Sequence, residues 1–206
     1  ILAPNLKTVL EFIDECYHHE YLSFDIETIG MREISCFGLG YNSSQALCVP
    51  FTKSGTSNYW PISEETAVWS AIARLLQCRT VKKIAQNASF EWLYMWKYEI
   101  YPWPLVIDTM LLHHCLYPDF GGTEDVWGRK RDLDNPGHGL GFINSQYTWT
   151  PYYKDDGRKW HPSMGDNRFW HYNGLDVMVT FDVAMQMLEE AREDGRDWPS
   201  STKFVR

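Results

Sequence analysis

The chain has 206 residues, enough for one domain with a sizeable core. Its formal charge of −8 argues against binding nucleic acid through bulk electrostatics, although a metal-binding carboxylate cluster adds negative charge where ions later cancel it. Five scattered cysteines (Cys16, Cys36, Cys48, Cys78, Cys115) lack Cys-x-x-Cys spacing, which excludes a zinc or disulfide framework and fits reduced thiols.

No apolar run is long enough to span a bilayer and no signal peptide is evident, so an intracellular setting without membrane contact is expected. The chain opens at Ile1 and stops at Lys203-Phe204-Val205-Arg206, which suggests a segment of a longer polypeptide.

Leu6, Val9, Leu10 and Ile13 fall at helical spacing and predict an amphipathic helix over 5–17. A strand follows at 21–27, then β-like runs from Glu33 to Tyr41 and from Gln45 to Phe51, joined by Asn42-Ser43-Ser44. Three strands with short connections predict an antiparallel meander. Lys53 to Tyr59 reads as a polar loop. Ser63 is the expected N-cap of the next helix, with Glu64 and Glu65 in its first turn and Val68, Ile72, Leu75 and Leu76 on its apolar face.

A short strand at 81–85 leads to Asn87, read as a second N-cap, and to a helix burying Phe90, Leu93 and Tyr94. Leu105-Val106-Ile107 is the last strand, and Asp108 caps a helix from Thr109 to Tyr117. From Pro118 to Asp166 the chain is rich in Gly, Pro, Asp and Trp and reads as a long irregular loop. Helical pattern returns from 168 to 194 with Trp170, Leu175, Val179 and Val183 among its apolar repeats, and ends at Gly195. The basic groups Lys82-Lys83, Arg129-Lys130-Arg131 and Arg158-Lys159 read as exposed loops or helix ends; the second can neutralise phosphates. No repeat and no second domain is evident. The order predicts an RNase H-like α/β fold: a three-strand antiparallel meander plus two parallel strands, flanked by helices.

Three short motifs carry chemistry. Tyr21-Leu22-Ser23-Phe24-Asp25-Ile26-Glu27-Thr28 sets two carboxylates at alternate strand positions, so Asp25 and Glu27 share a face. Two anions held side by side repel unless a cation lies between them, and oxygen-only ligands suit Mg²⁺ or Mn²⁺. The second motif is Asn87-Ala88-Ser89-Phe90-Glu91, where the plain alternative for Glu91 is a first-turn acid favoured by the helix dipole. The third is Tyr172-Asn173-Gly174-Leu175-Asp176. Residues four apart on a helix diverge by about 40° and residues five apart by about 140°, so a continuous helix aims Tyr172, not His171, alongside Asp176.

Together these motifs resemble the DnaQ-like (DEDDy) 3′-5′ exonucleases over residues 20–190, in family order. Ile107-Asp108-Thr109-Met110-Leu111 further resembles the exonuclease domains of family A DNA polymerases, phage-type enzymes among them. The second motif departs from the family pattern, with Glu91 in place of the usual aspartate. Overlapping the third, His171 stands at the histidine spacing of the DEDDh subclass.

The resemblance implies two-metal phosphodiester hydrolysis with two Mg²⁺ or Mn²⁺ ions: one on Asp25, Glu27 and Asp176, the other on Asp25 and Glu91, with Tyr172 orienting the attacking water. It implies that Ile26 and Thr28, with Asn87 and Phe90, contact the substrate. The expected activity is release of nucleoside 5′-monophosphates from single-stranded DNA 3′ ends in proofreading. The implied partner is a polymerase domain, in the same longer chain or separate, in the cytoplasm (the host's, for a viral protein). An RNase D-like exoribonuclease and a degenerate fold that only binds nucleic acid are the rival readings. Tyr147, Trp149, Tyr152, Tyr153 and Trp160 offer rings that can stack bases or pin the long loop.

Overall fold

The computed structural model describes residues 1–30, 33–54, 57–118 and 137–195; the Arg129-Lys130-Arg131 run lies outside them. Strands β1 (Tyr21–Ile29), β2 (Glu33–Gly40) and β3 (Ala46–Pro50) form the expected antiparallel meander. In place of a plain polar loop comes a small hairpin of β4 (Thr52–Lys53) and β5 (Ser57–Asn58). Strands β6 (Lys82–Ala85) and β7 (Leu105–Asp108) then join in parallel, giving the sheet order β3-β2-β1-β6-β7. This mixed sheet, flanked by helices, is the RNase H-like arrangement that the pattern predicts.

Helices α1 (Leu6–Cys16) and α2 (Ile62–Leu76) cover one face, burying Val9, Ile13, Val68 and Ile72 against Leu22, Phe24, Phe37 and Leu39. Helix α3 (Ser89–Lys97) adds Tyr94 and Met95 to that core. Its Leu93 is exposed, contrary to expectation, because Glu91 and Tyr94 take the inward positions of this short helix. The other face carries α4 (Thr109–Leu116), α5 (Leu140–Tyr147), α6 (Lys154–Arg158) and the long α7 (Asp166–Glu193). Residues 137–166 are therefore not an irregular loop: α5, α6 and a 3₁₀ turn at Pro162–Met164 lie within them. Their Gly, Asn and Asp content hid these short helices, which tertiary packing supports in place of propensity. None of the described helices is long and apolar enough to cross a membrane.

Two expected caps move. Helix α2 starts at Ile62 behind Pro61, whose fixed extended geometry sets the helix entry, so Ser63 lies inside the first turn. Asn87 stands in the left-handed region at φ 56°, and Ala88 takes the cap position of α3. The turn that leads into α3 is held by Asp108. Its carboxylate accepts from the backbone amides of Asn87 (3.1 Å) and Ala88 (2.9 Å), and also from Met110 (3.0 Å) at the start of α4. One side chain at the end of β7 thus caps α4 and pins the turn ahead of α3.

Lys82 and Lys83 lie in the strand expected at 81–85, and the pair is not an exposed loop or helix end. Lys82 pairs with Glu20 at 2.6 Å, whereas Lys83 is fully buried and donates to the carbonyls of Cys78, Val81 and Trp103. The all-carbonyl setting satisfies three ammonium donors, and burial lowers the Lys83 pKa to about 8.

The α7 side of the sheet decides where functional groups can go. Across β1, β2 and β3 that side carries small residues: Ser23, Cys36, Gly38, Gly40, Ala46 and Cys48. A Cβ on Gly38 would lie 2.4 Å from Val177 Cγ2, and one on Gly40 2.6 Å from Val177 Cγ1. Only glycine permits this approach. Ser23 Oγ lies within hydrogen-bonding distance of the carbonyls of Val177 (2.9 Å) and Gly40 (3.0 Å), stitching helix to sheet.

Asp108→Ala should destabilise the protein by about 1–3 kcal/mol in urea denaturation, since α4 loses its cap and the turn ahead of α3 loses its acceptor. A loss no larger than that of Lys159→Ala, which removes only an exposed pair, would rule out this double role.

Candidate active site

Strand β1 presents Asp25 and Glu27 toward α7, opposite Gly38 and Cys36 of β2. Just beyond Glu27 the register slips, with Thr28 opposite Ile34, so a bulge at the end of the motif adds local twist. Helix α7 runs unbroken through residues 171 and 172. It brings Asp176 onto the strand, where one oxygen each from Asp25, Glu27 and Asp176 lie within 4.8 Å of one another. The next residue along from Tyr172 adds a contact: buried Asn173 donates from Nδ2 to Asp25 Oδ2 at 2.8 Å. A Cβ on Gly38 would come within 2.8 Å of Asn173 Oδ1, so the glycine makes room for this amide as well.

The carboxylates line a cleft of about 340 Å³, together with Ile26, Gln86, Asn87, Phe90, Glu91, Tyr172 and Lys154. Glu91 projects from the first turn of α3 and is buried, and its Oε2 has no hydrogen-bond partner. It stands outside the 4.8 Å set but on the same cleft. Thr28, past the bulge, does not line it. His171 is exposed on the far side of α7, in a groove with Ile1, Tyr41 and Gln45, while Tyr172 is buried. The continuous helix therefore separates the two overlapping spacings as the rotation argument requires.

Helix α6 closes the other side. Lys154 Nζ reaches Asp176 Oδ2 at 2.7 Å and Oδ1 at 2.9 Å, and Tyr153 donates its hydroxyl to Oδ1 at 2.6 Å. The ammonium also lies 4.7 Å from the Tyr172 ring centroid. Gly157 lies flat on that ring, where a Cβ would fall 2.3 Å from Tyr172 Cζ, so α6 fixes the tyrosine's position.

The electrostatics follow from this crowding. Burial, then the Asp176 charge, pushes Asp25 up to about 8; Lys154 and the Asn173 amide act in the opposite direction. Glu27 is held well above the carboxylate range by burial and by Asp25 and Asp176. Glu91 is raised likewise, by burial first and then by Asp25. Tyr172 is raised by burial and by Asp176, which keeps its hydroxyl protonated at neutral pH. Such a set of mutually repelling oxygens, one of them buried without a partner, fits a hard divalent cation.

Of the aromatic side chains at 147–160, three are structural. Tyr147 donates to Glu190, Tyr153 is buried on Asp176, and Trp160 stacks on Phe169 at 4.3 Å. Trp149 and Tyr152 remain exposed. Sequence reasoning missed Lys154 and Asn173, and named Tyr153 for its ring and not for its hydroxyl. Lys154 and Tyr153 sit in a stretch read as loop, and Asn173 lay inside a recognised motif without an assigned part.

Across residues 4–192 the chain matches the model of a 3′-5′ exonuclease family. No curated protein sequence matches it. Escherichia coli RNase D, described as an exoribonuclease involved in structured RNA processing, superposes with a TM-score of 0.65 at 13% identity, over 95% of this chain and 46% of that one. The POL domain of Pol1 from M. smegmatis, in complex with DNA primer-template and dNTP, gives 0.62 at 10% identity over 98% of this chain and 30% of that one. Brucella melitensis NrnC with bound Mg²⁺ gives 0.57 at 16% identity, over 89% and 79%. The chain thus spans less than half of the RNase D and Pol1 structures it resembles, and the likeness to all three is one of fold. With the family match covering nearly its whole length, the chain belongs to the 3′-5′ exonuclease family.

Proposed function

We propose that this chain is a metal-dependent 3′-5′ exonuclease that removes nucleoside 5′-monophosphates from single-stranded DNA 3′ ends, in support of a polymerase domain. The observation that carries the reading is the convergence of Asp25, Glu27 and Asp176 within 4.8 Å at a cleft also lined by Tyr172 and Glu91. Asp25, Glu27 and Asp176 would hold one divalent ion, and Asp25 with Glu91 a second. Bound there, Mg²⁺ or Mn²⁺ supplies Lewis-acid stabilisation of a phosphate and acidifies a coordinated water.

The chain's own residues do the rest. Tyr172, kept protonated, donates or accepts one hydrogen bond to orient the water and does not serve as a base. Asn173 fixes the Asp25 carboxylate, and Gly157 fixes the Tyr172 ring. Ile26, Asn87 and the half-buried Phe90 line the cleft where a terminal nucleotide would sit. The DNA preference rests on the motif resemblance to polymerase exonuclease domains, with the fold likeness to the POL domain of Pol1 beside it. The resemblance to RNase D supports the second reading, RNA ends, which a 2′-hydroxyl requirement would reveal.

The first test is digestion of 5′-labelled single-stranded DNA and RNA oligomers with Mg²⁺, Mn²⁺ or EDTA. A metal-dependent ladder shortening from the 3′ end is expected on DNA. Asp25→Ala should lower the rate by about 10³-fold, the equivalent of several kcal/mol of lost metal stabilisation. Retention of the oligomer without a ladder in either metal would leave only a binding fold.

Tyr172→Phe should reduce kcat by about tenfold, one hydrogen bond's worth, with Mn²⁺ affinity unchanged. An unaltered kcat would remove the tyrosine from the mechanism.

The raised Asp25 pKa has a thermodynamic counterpart. Between about pH 4, where an unfolded aspartate ionises, and about pH 8, the folded metal-free chain holds a proton that the unfolded chain has lost. Stability should therefore fall as pH rises through that window. Melting temperatures measured in EDTA should show this decline, and both Mg²⁺ and Asp25→Asn should flatten it. A slope indifferent to both would contradict the assignment.

A further inference from the structure

Among the described residues, Lys154 is the only cationic side chain lining the carboxylate cleft. Its position is built, not incidental. Its side chain is only 18% exposed, and its stem passes over Gly141 of α5, where a Cβ would fall 3.1 Å from Lys154 Cγ. The ammonium takes both oxygens of Asp176, and Tyr153 takes a further lone pair on Oδ1. An ionised carboxylate offers about four acceptor sites, so three of those on Asp176 are already engaged. A divalent ion held by Asp25, Glu27 and Asp176 would bond an oxygen of the carboxylate that Lys154 now holds, and two cations at contact distance on one carboxylate repel strongly.

Resting on the metal-dependent reading above, we propose that Lys154 is an exchangeable internal counter-ion. It neutralises the acidic cluster until metal arrives, and metal displaces it from Asp176. The displaced ammonium, tethered at the start of α6 beside the Tyr172 ring, becomes the cation that binds a non-bridging oxygen of the terminal phosphate. Metal loading and phosphate binding are coupled through one side chain, because the lysine is free for phosphate only after the ion has taken its place.

Lys154→Met keeps the apolar stem and removes the competitor. Mn²⁺ binding, read as loss of the free-ion electron paramagnetic resonance signal without nucleic acid, should tighten by about tenfold relative to the unaltered chain. At saturating Mn²⁺ the same variant should raise KM for a single-stranded oligonucleotide by about tenfold, with Lys154→Arg restoring much of it. Lys159→Met, which removes an exposed charge of the same helical segment, is the control and should change neither quantity. Equal Mn²⁺ affinity in the unaltered chain and Lys154→Met, or equal tightening by Lys159→Met, overturns the counter-ion proposal while leaving the metal site intact. Tightened Mn²⁺ with an unchanged KM overturns the phosphate step. Failure of both proteins to bind Mn²⁺ at millimolar concentration overturns the metal site itself and the proposal with it.

Discussion

Helix α7 lies almost in backbone contact with β2, and every functional distance in the molecule depends on that approach. Gly38 and Gly40 admit Val177 where any Cβ would collide, and Ser23 ties the Val177 carbonyl to the sheet. With the helix this close, Asp176 reaches the two carboxylates of β1, and Asn173 can touch Asp25 over the bare backbone of Gly38. A single added methyl at Gly38 would lift the helix or expel the amide. Packing here does not merely support the site; it sets the spacing of its charges.

That spacing is unfavourable in the absence of a cation. Three carboxylates share a 4.8 Å neighbourhood, with Glu91 buried nearby, and burial adds to their mutual repulsion. The fold relieves this in three ways: Lys154 on Asp176, the Asn173 amide on Asp25, and protons retained on the raised carboxyls. None of the three is permanent, since a proton can leave and a lysine can rotate. A site arranged so that its compensation is replaceable stores free energy that metal binding can recover.

The element order, the meander and the three acidic motifs were legible because each is local. Alternation places Asp25 and Glu27 on one face, and a four-residue helical step pairs Tyr172 with Asp176. The rotation argument between Tyr172 and His171 likewise needed only helix geometry. What escaped was long-range or lacked periodicity. Cys36-Phe37-Gly38-Leu39-Gly40 does alternate small with large, yet only the α7 contact explains why the small side had to be small. Lys154 belongs to a five-residue helix, too short for any period, and its partner is 22 residues away in sequence. Asn87 looked like a cap because of its type, but it takes a left-handed turn whose amides are held by Asp108 of the β7 strand, which no local rule reports. Lys83 looked exposed because lysine usually is; three carbonyls from separate segments bury it.

Glu91 bears most directly on whether the site is working or degenerate. A glutamate one methylene longer than the usual aspartate can still deliver its oxygen to the cleft if the helix beneath it is held in place. Asp108 does hold it, by fixing the amides of Asn87 and Ala88 at the start of α3. The carboxyl is buried with Oε2 unpartnered, a condition that costs free energy in the metal-free chain. A fold relieved of catalysis could discharge that cost with glutamine, leucine or a rotamer aimed at solvent. Here the acid is kept, aimed inward and left without a partner, alongside three other raised or crowded carboxylates. Binding nucleic acid alone would gain nothing from such an arrangement, because crowded carboxylates offer no attraction to phosphate. The cluster makes physical sense as a cation site, and the orphaned oxygen of Glu91 marks the side on which a second ion would complete it.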